Sequence, residues 1–260
     1  KGYYRKIIMN KDVTTKSKDS RSFITDLVVK GREFFLISNN NIMKKIILAF
    51  SGGLDTSFCV PYLKKKGYQV VTVTVNTGGF SKKQLDKIAA QSKNLGASKH
   101  YEIDAQEELY EKFVSYILKA NYLKGGCYPA CVGPERYLIA SEIVKIAKKE
   151  DSNHVAHGST AAGNDQVRLD LSLHALLPGC VILAPIRDEG VSRAQEVAFL
   201  KKHSVKVDAS QKDYSINIGL LGTTIGGKET HSTETILPDS AFPNVEPLSS
   251  VPNEPSTFTV

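Results

Sequence analysis

An α/β fold, a parallel sheet flanked by helices, is predicted by three features of this 260-residue chain. Strand-like and helix-like runs alternate from Met43 to Ser210, which calls for crossover connections and a sheet covered on both faces. The first strand-like run, 45–50 (KIILAF), is a short apolar run after Lys45, as a strand buried on both faces requires. That run passes through Ser51-Gly52-Gly53 directly into a helical pattern, so a glycine turn sits where a helix begins.

Taken in order, residues 1–42 are rich in Lys, Ser and Asn, with apolar islands at Phe23–Val29 and Phe34–Ser38. They share neither the periodicity nor the motifs of the chain beyond Met43. The expectation is an N-terminal extension outside the fold, with Met43 as the natural start. After 45–50, helical spacing from Ser57 to Lys66 turns Val60 and Leu63 to one side. The remaining strand-like runs are 69–75 (QVVTVTV), 98–103, 153–157 and 180–184 (CVILA). Helix-like segments lie near 55–66, 81–95, 107–119, 134–150 and 192–203. Beyond Ser210 the alternation fades into Gly, Thr, Pro and Ser, and 238–256 holds five prolines, which predicts a mostly irregular tail. The reading is therefore an extension (1–42), a main domain (43–210) and the beginning of an incomplete second domain (211–260).

Composition narrows the classes. The chain is 41% hydrophobic with a mean hydropathy of −0.20, and no apolar run approaches the roughly 18 residues of a membrane span. No secretory signal is visible, so a cytoplasmic location is expected, with no membrane partner. The net charge of +7 suggests nucleic acid until it is mapped. Residues 1–42 carry nine Lys/Arg against four acids, or +5, and the other 218 residues carry +2. A charged extension is a solvated tail more readily than a binding face, and no nucleic-acid partner is expected. Cys59, Cys127, Cys131 and Cys180 form no CxxC pair. Cys127-x3-Cys131 with His154-x2-His157 can be drawn as a zinc site, but reduced thiols and no metal site are the expectation.

In a doubly wound sheet, ligands sit beyond the carboxyl ends of the strands. The loop after 45–50, the turn Asn76-Thr77-Gly78-Gly79 and the loop after Val155 therefore converge on one crevice. The first is Ser51-Gly52-Gly53-Leu54-Asp55-Thr56-Ser57. Its glycines and helix start expose backbone N–H groups at the positive end of a helix dipole, and Ser51, Thr56 and Ser57 add hydroxyl donors. Such a nest binds phosphate or pyrophosphate. It is not a Walker A loop, because no Lys-Ser/Thr pair closes it. The third, Ala156-His157-Gly158-Ser159-Thr160-Ala161-Ala162-Gly163-Asn164-Asp165-Gln166-Val167-Arg168, crowds hydroxyl, amide, carboxylate and guanidinium groups into one loop. The bland alternative is a polar loop capping a helix at Asp165. Thr160 and Asn164 as carboxylate donors beside Asp165 as an ammonium acceptor suit an amino-acid substrate. Arg168 adds a planar fork for a second carboxylate.

SGGLDTS is similar to the pyrophosphate loop of ATP pyrophosphatases, and HGSTAAGNDQVR resembles the corresponding segment of the argininosuccinate synthetase family. Further resemblances keep that family's order: NTGGF at 76–80, Tyr128 before a helix bearing Arg136, Ala-Pro-x-Arg at 184–187, and Tyr214-Ser215-Ile216-Asn217 with Thr224 nine residues after the serine. Together they span Met43 to Pro243. The resemblance implies an adenine nucleotide α-hydrolase-like, Rossmann-like domain and an ATP-dependent ligation of citrulline to aspartate that releases AMP and pyrophosphate. The ureido oxygen of citrulline attacks the α-phosphate, and the aspartate amine then displaces AMP. By the same resemblance, ATP is held by Ala49, Phe50, Ser51, Gly52, Gly53, Leu54, Asp55, Thr56 and Ser57, with the Val75 backbone and Gly158 near the nucleoside. Aspartate is held by Thr160, Asn164 and Asp165. Citrulline is held by Tyr128, Asn164, Arg168, Ser215 and Thr224. Mg2+ rides on the pyrophosphate, and no nucleophilic side chain is required.

Without that pattern, Tyr128 reads as a packing residue beside Pro129 and Ser215 as a turn cap. Gly222–Lys228 (GTTIGGK) imitates a Walker A loop, but Glu229 stands where Ser/Thr belongs, so it reads as a structural loop carrying Thr224. The chain departs from the family at Gly133, where a citrulline-contacting Ser is expected, and at Ala161, which replaces a glycine and adds strain if φ is positive there. It also departs at Pro61, which interrupts the first helix. The family's second domain, with further citrulline contacts and an oligomerisation arm, continues past Val260, so a homo-oligomer is expected of the family rather than of this chain. Two rivals remain: a nucleotide-binding fragment without turnover, and a tRNA-thiolating enzyme sharing the first loop.

Overall fold

The computed structural model describes residues 27–30, 33–36, 43–130, 132–161, 163–203, 214–243 and 245–257. Cys131, Ala162 and the ends of both N-terminal apolar islands lie outside them. The chain divides into two compact units, 1–42 and 43–260. In the first, β1 (Leu27–Lys30) and β2 (Glu33–Leu36) form an antiparallel hairpin with Leu27 opposite Leu36.

The second unit is built on a five-stranded parallel sheet: β3 (Lys45–Ala49), β4 (Gln69–Asn76), β5 (Lys99–Asp104), β6 (His154–Ala156) and β7 (Val181–Leu183). The order across the sheet is β5-β4-β3-β6-β7. The chain winds outward from β3 through β4 to β5, then returns to pair β6 on the other side of β3. The topological switch point thus falls between β3 and β6, and the loops leaving these two strands diverge there to open a crevice.

The period of two along the strands sorts the core into two layers. Ile46 and Leu48 of β3 pack with Phe58, Val60, Leu63, Ile88 and Leu200, whereas Ile47 packs with Val71, Val73, Leu138, Ile143, Leu169 and Leu173. The first layer lies under α1 (Leu54–Lys65), α2 (Lys82–Asn94) and α8 (Arg193–Lys202); the second lies under α5 (Gly133–Lys149) and α6 (Asp165–Leu176). Burying each such side chain contributes about 1.5–3 kcal/mol. Val60 and Leu63 are both fully buried on α1, as their spacing predicts. That helix runs on through Pro61 to Lys65, because the lost N–H removes one bond while the buried face on either side holds the register.

The expected helix 107–119 is three pieces: α3 (Gln106–Leu109), a π turn (Tyr110–Val114) and α4 (Ser115–Lys119). The polar motif after Val155 turns into α6, a full helix that the alternation did not include. A short helix, α7 (Pro185–Asp188), follows β7. The stretch expected to be irregular contains an antiparallel hairpin, β8 (Ser215–Gly219) and β9 (Gly222–Gly226), so Gly222–Lys228 is mostly strand rather than a loop. Gly and Thr hide a strand whose order comes from docking. Leu220 N–H donates to the Thr77 carbonyl at 3.0 Å, and a side chain at Gly79 would fall on the Ile218 carbonyl oxygen. Past the hairpin there are only short 3-10 turns at Lys228–His231, Asp239–Ala241 and Leu248–Ser250 among the described residues. Among the described residues, no helix is long and apolar enough to cross a membrane.

At the opposite end of the sheet from the crevice, Glu150 closes α5 onto two strands. Its carboxylate accepts from Lys45 Nζ (2.9 Å), Lys99 Nζ (2.8 Å) and Tyr101 Oη (2.6 Å). Those donors hold its pKa down at about 2, below the ordinary value of 4.5. The folded state therefore gains from the charged form above pH 4.5, and the gain is lost as pH falls toward 2. Glu150→Gln should lower stability at pH 7 by about 1 kcal/mol, since both lysines are half in water. In thermal unfolding the gap between variant and wild type should close as pH drops through that window; a gap constant with pH would contradict this account.

Candidate functional site

The crevice is assembled from the exits of β3 and β6. At the first, Phe50 N–H bonds the Val73 carbonyl (2.8 Å) and Thr74 Oγ1 donates to the Phe50 carbonyl (2.6 Å), so the chain leaves β3 in a fixed direction. Gly52 adopts φ +74°, and a Cβ there would also press on Ile88 at 2.9 Å. Gly53 caps α1 with no side chain to bond its first turn, so the N–H groups of Leu54, Asp55 and Thr56 point into the crevice without intrahelical acceptors. The first closed turn is Ser57 N–H to the Gly53 carbonyl at 3.0 Å. Ser51 Oγ accepts from Gly53 N–H (3.4 Å) and lies 3.3 Å from Thr56 Oγ1, lining the nest with two hydroxyls. The third expected hydroxyl does not join them. Ser57 is fully buried, and its Oγ accepts from Gln91 Nε2 (2.8 Å), tying α1 to α2 instead.

Pairing between β3 and β4 ends at Ala49 opposite Val73. The Val73 carbonyl faces Phe50, and the two-residue period turns the polar edge of Val75 the same way, past the end of β3 and into the gap.

The second loop meets the first by backbone contact. A Cβ on Gly158 would lie 3.0 Å from Thr56 N and 3.2 Å from the Asp55 carbonyl carbon, so only glycine lets β6's exit rest on the first turn of α1. The loop is anchored from behind. Buried His157 accepts from Ser159 N–H at Nδ1 (3.2 Å), leaving Nε2–H for Asp170 (2.8 Å); burial pushes its pKa down and keeps the ring neutral. Asp170 also accepts from Arg187 Nη1 (2.7 Å), whose Nε binds Asp188 (3.0 Å), which in turn accepts from Ala184 N–H (2.8 Å). Gln166 Nε2 donates to the Ala161 carbonyl (3.1 Å) and to the Gly163 carbonyl, drawing the loop tight. Gly163 takes φ +96°, whereas Ala161 is not among the positive-φ residues, so the strain expected at Ala161 does not arise.

Asp165, Arg168 and Arg136 form one cluster. Asp165 accepts from Arg168 Nη1 (3.2 Å) and Arg136 Nη2 (3.0 Å), and Arg136 Nη2 also reaches Asn217 Oδ1 (3.0 Å). The sequence leads one to expect Asp165 awaiting an ammonium group; in the structure its carboxylate is shared by two guanidinium groups while remaining 40% exposed. Thr160 and Asn164 stand exposed at the loop's rim. Hairpin register puts Thr224 opposite Asn217, the residue that Arg136 reaches, and position 215 opposite Gly226. Tyr128 lies at the other side, its Oη accepting from Val132 N–H (3.4 Å) at the start of α5. No bond links Tyr128 to Arg168 or Asn164 among the described residues. Gly133 has open space where a side chain would be.

Four contributors escape a reading of the sequence alone. Arg136 and Asn217 belong to the family-like stretches, yet nothing in those stretches assigns them a role. Glu135 is buried against Gly219, with Oε1 lacking a partner among the described residues; burial pushes it to about 7, against the pull of Arg136 and Thr77. Glu196 is buried on α8, with Oε2 lacking a partner among the described residues. Only an unusual carboxylate on an apolar helix face could flag these two. Of the drawn zinc set, Cys131 is outside the described residues and both nitrogens of His157 are engaged. Cys59, Cys127 and Cys180 are free thiols.

A family model described as the arginosuccinate synthase N-terminal HUP domain matches residues 45–206. Among curated proteins, the argininosuccinate synthase of Sulfurisphaera tokodaii is 41% identical over 199 residues, which is 76% of this chain and 50% of that protein. Those of Lacticaseibacillus paracasei and Pyrococcus furiosus are 39% and 38% identical over 214 and 217 residues, 82% and 83% of this chain and 52% of each relative. The chain spans about half the length of the curated relatives it matches.

Arg136→Met keeps the length of the side chain and removes the guanidinium shared by Asp165 and Asn217. Stability should fall by about 1–3 kcal/mol, because a charge-assisted pair is broken and Asn217 loses its partner. Amide exchange across 215–226 should quicken with it. Unchanged exchange there would show that the hairpin is held by the Thr77 and Gly79 contacts alone.

Proposed function

The chain belongs to the argininosuccinate synthase family, and on that premise we propose that it carries the nucleotide-activating half of a ligase that joins citrulline to aspartate at the expense of ATP. Membership also separates it from the tRNA-thiolating enzymes that share its first loop. The observation that carries the reading is the seat of Gly158 on the first turn of α1, which brings a phosphate nest and an amino-acid-binding cluster into one crevice.

The chemistry asks for positioning and charge stabilisation rather than a nucleophilic side chain. The free amides of Leu54, Asp55 and Thr56, with the Ser51 and Thr56 hydroxyls, would hold the β- and γ-phosphates and take up charge as pyrophosphate leaves. The Val75 backbone edge would suit the base, with the Gly158 backbone near the nucleoside. Mg2+ enters as part of the nucleotide substrate, carried on the pyrophosphate oxygens; among the described residues no cluster of three metal-ligating side chains offers a resident site.

Thr160 and Asn164 would bind the aspartate carboxylate, with Asp165 turning from one of its arginines to the substrate ammonium. Tyr128, Asn164, Arg168, Ser215 and Thr224 would hold the α-carboxylate and ammonium of citrulline. The ureido oxygen would attack the α-phosphorus in line with departing pyrophosphate. The aspartate amine then attacks the ureido carbon and AMP leaves. The free thiols agree with a cytoplasmic setting.

Pyrophosphate release from ATP, measured with citrulline and aspartate together and singly, tests this. Release that requires citrulline is expected. ATP bound in a parallel titration without citrulline-dependent release would reduce the chain to a nucleotide-binding unit. Gly158→Ala should weaken ATP binding by at least about tenfold, because the new methyl would force the second loop off the helix start. Binding unaffected by that change would contradict the proposed seat.

A further inference from the structure

At the end of α1 far from the crevice, two adjoining cavities form a groove with Lys65 as their shared wall. One, of about 370 Å3, lies where α1, α2 and α8 end, and is lined by Pro61, Lys64, Lys65, Asn94, Leu95 and His203. The other, of about 480 Å3, continues between α1 and α8 over Phe58, Tyr62 and Phe199, with Lys66 and Glu189 also in its lining. Aromatic rings run from one cavity into the next. Phe58 stacks on Tyr62 (5.3 Å between ring centres) and packs against Phe199 (4.8 Å), and Phe199 lies 4.4 Å from His203. Tyr62 and Phe199 are only half-buried, so the groove offers them to a ligand.

The charge around these rings is of one sign. Lys64, Lys65 and Lys66 are exposed, and Lys64 reaches from α1 to the bare backbone of Gly96 in the turn after α2. On α8, Gln195, Phe199 and His203 line the groove at four-residue intervals, and exposed Lys202 falls on the same stripe. Lys93, also exposed, precedes Asn94 at the end of α2. Glu189 is the one acid in the lining, and it is engaged, accepting from Tyr62 O–H and from Lys66 Nζ (3.4 Å). Among the described residues no carboxylate pairs with Lys64, Lys65, Lys93 or Lys202. A lysine in the last turn answers the dipole of its own helix, which accounts for each basic helix end taken singly. It does not account for three such ends meeting around a groove floored with aromatic rings. Charge summed along the chain conceals this gathering, because residues 43–260 carry only +2 and the fold draws these lysines from positions 64 to 202.

We propose that this groove binds a single-stranded polynucleotide, its phosphates on the lysines and its unpaired bases against Tyr62 and Phe199. A single strand presents one phosphate per nucleotide and a π face on every base, which a charged groove with aromatic platforms matches without regard to sequence. A duplex hides its base faces within the stack. A bilayer would meet the lysines but find no exposed apolar side chain in the lining to insert. From Gln195 to His203 the groove follows about 12 Å of helix axis, so a short strand suffices to fill it. The site stands apart from the crevice and does not rest on the nucleotide reading.

The experiment is fluorescence anisotropy of the full chain with labelled oligouridylate and oligodeoxythymidylate of about ten nucleotides, and with a duplex of the same length. Saturating ATP is added in a parallel series, and vesicles of phosphatidylglycerol serve as the membrane probe. A single strand should bind several-fold more tightly than the duplex, and the tighter of the two single strands identifies the sugar that the groove prefers. Log K should fall against log salt with a slope of about −3, as roughly four phosphate contacts on a single strand give. ATP should not displace the strand. Lys64→Gln with Lys65→Gln should weaken binding roughly tenfold and flatten the salt slope by about one to two. Phe199→Leu keeps an apolar contact for Phe58 but removes a stacking face, so it should weaken binding roughly tenfold with the slope unchanged. Lys112→Gln with Lys119→Gln removes the same charge on the other layer, where Val114 packs with Ile47, and should leave Kd as it was. Displacement by ATP, affinity untouched by the Lys64 and Lys65 changes, or an equal loss from the Lys112 and Lys119 changes overturns the proposal. So does binding to the vesicles with none to either single strand, which would make this face a membrane contact.

Discussion

The close approach of two backbones at Gly158 is the constraint on which the site depends. Parallel pairing of β6 beside β3 delivers the second loop to the switch point, but pairing alone sets strands about 5 Å apart and says nothing of the loops beyond them. The loops meet because position 158 has no side chain, so its backbone can rest on Asp55 and Thr56. Every other feature of the crevice either aims the two loops at this contact or occupies the space that it defines.

The aim is supplied by polar groups buried behind the loops. His157, Asp170, Arg187 and Asp188 form a chain from the second loop to the end of β7 in which each donor finds an acceptor. A chain of this kind costs desolvation and is stable only when fully satisfied, which is why it rigidifies the loop it carries. Arg136 acts similarly at the other wall, joining α5, α6 and β8 through Asp165 and Asn217. Glu135, Glu196 and His100 differ: each has one buried side-chain atom without a partner among the described residues.

Much of the architecture was readable from local pattern. KIILAF, QVVTVTV and CVILA announce strands, the first two buried at the middle of the sheet and the third at its edge with Val181 exposed, and the spacing of Val60 and Leu63 announces the helix side that covers them. Both motif loops are legible because glycine, hydroxyl and acidic residues at short range have few other uses. The elements that escaped are those whose order is borrowed. The β8–β9 hairpin is short and Gly- and Thr-rich, and it is held by Thr77, Gly79 and Arg136, all far earlier in the chain. The helix at Asp165–Leu176 begins inside the polar motif, where ligand-type residues mask its period.

What the sequence determined by itself was the parallel α/β plan and the glycine turn at the start of the first helix, because strand and helix periods and such a turn are local properties of the chain. What only the tertiary structure decided was which groups face the crevice. Ser57 turned inward to Gln91, and Asp165 came to rest between two arginines. Direction and protonation depend on partners far away in sequence, through burial and hydrogen bonding, and no local pattern encodes the distance between two side chains that the fold brings together.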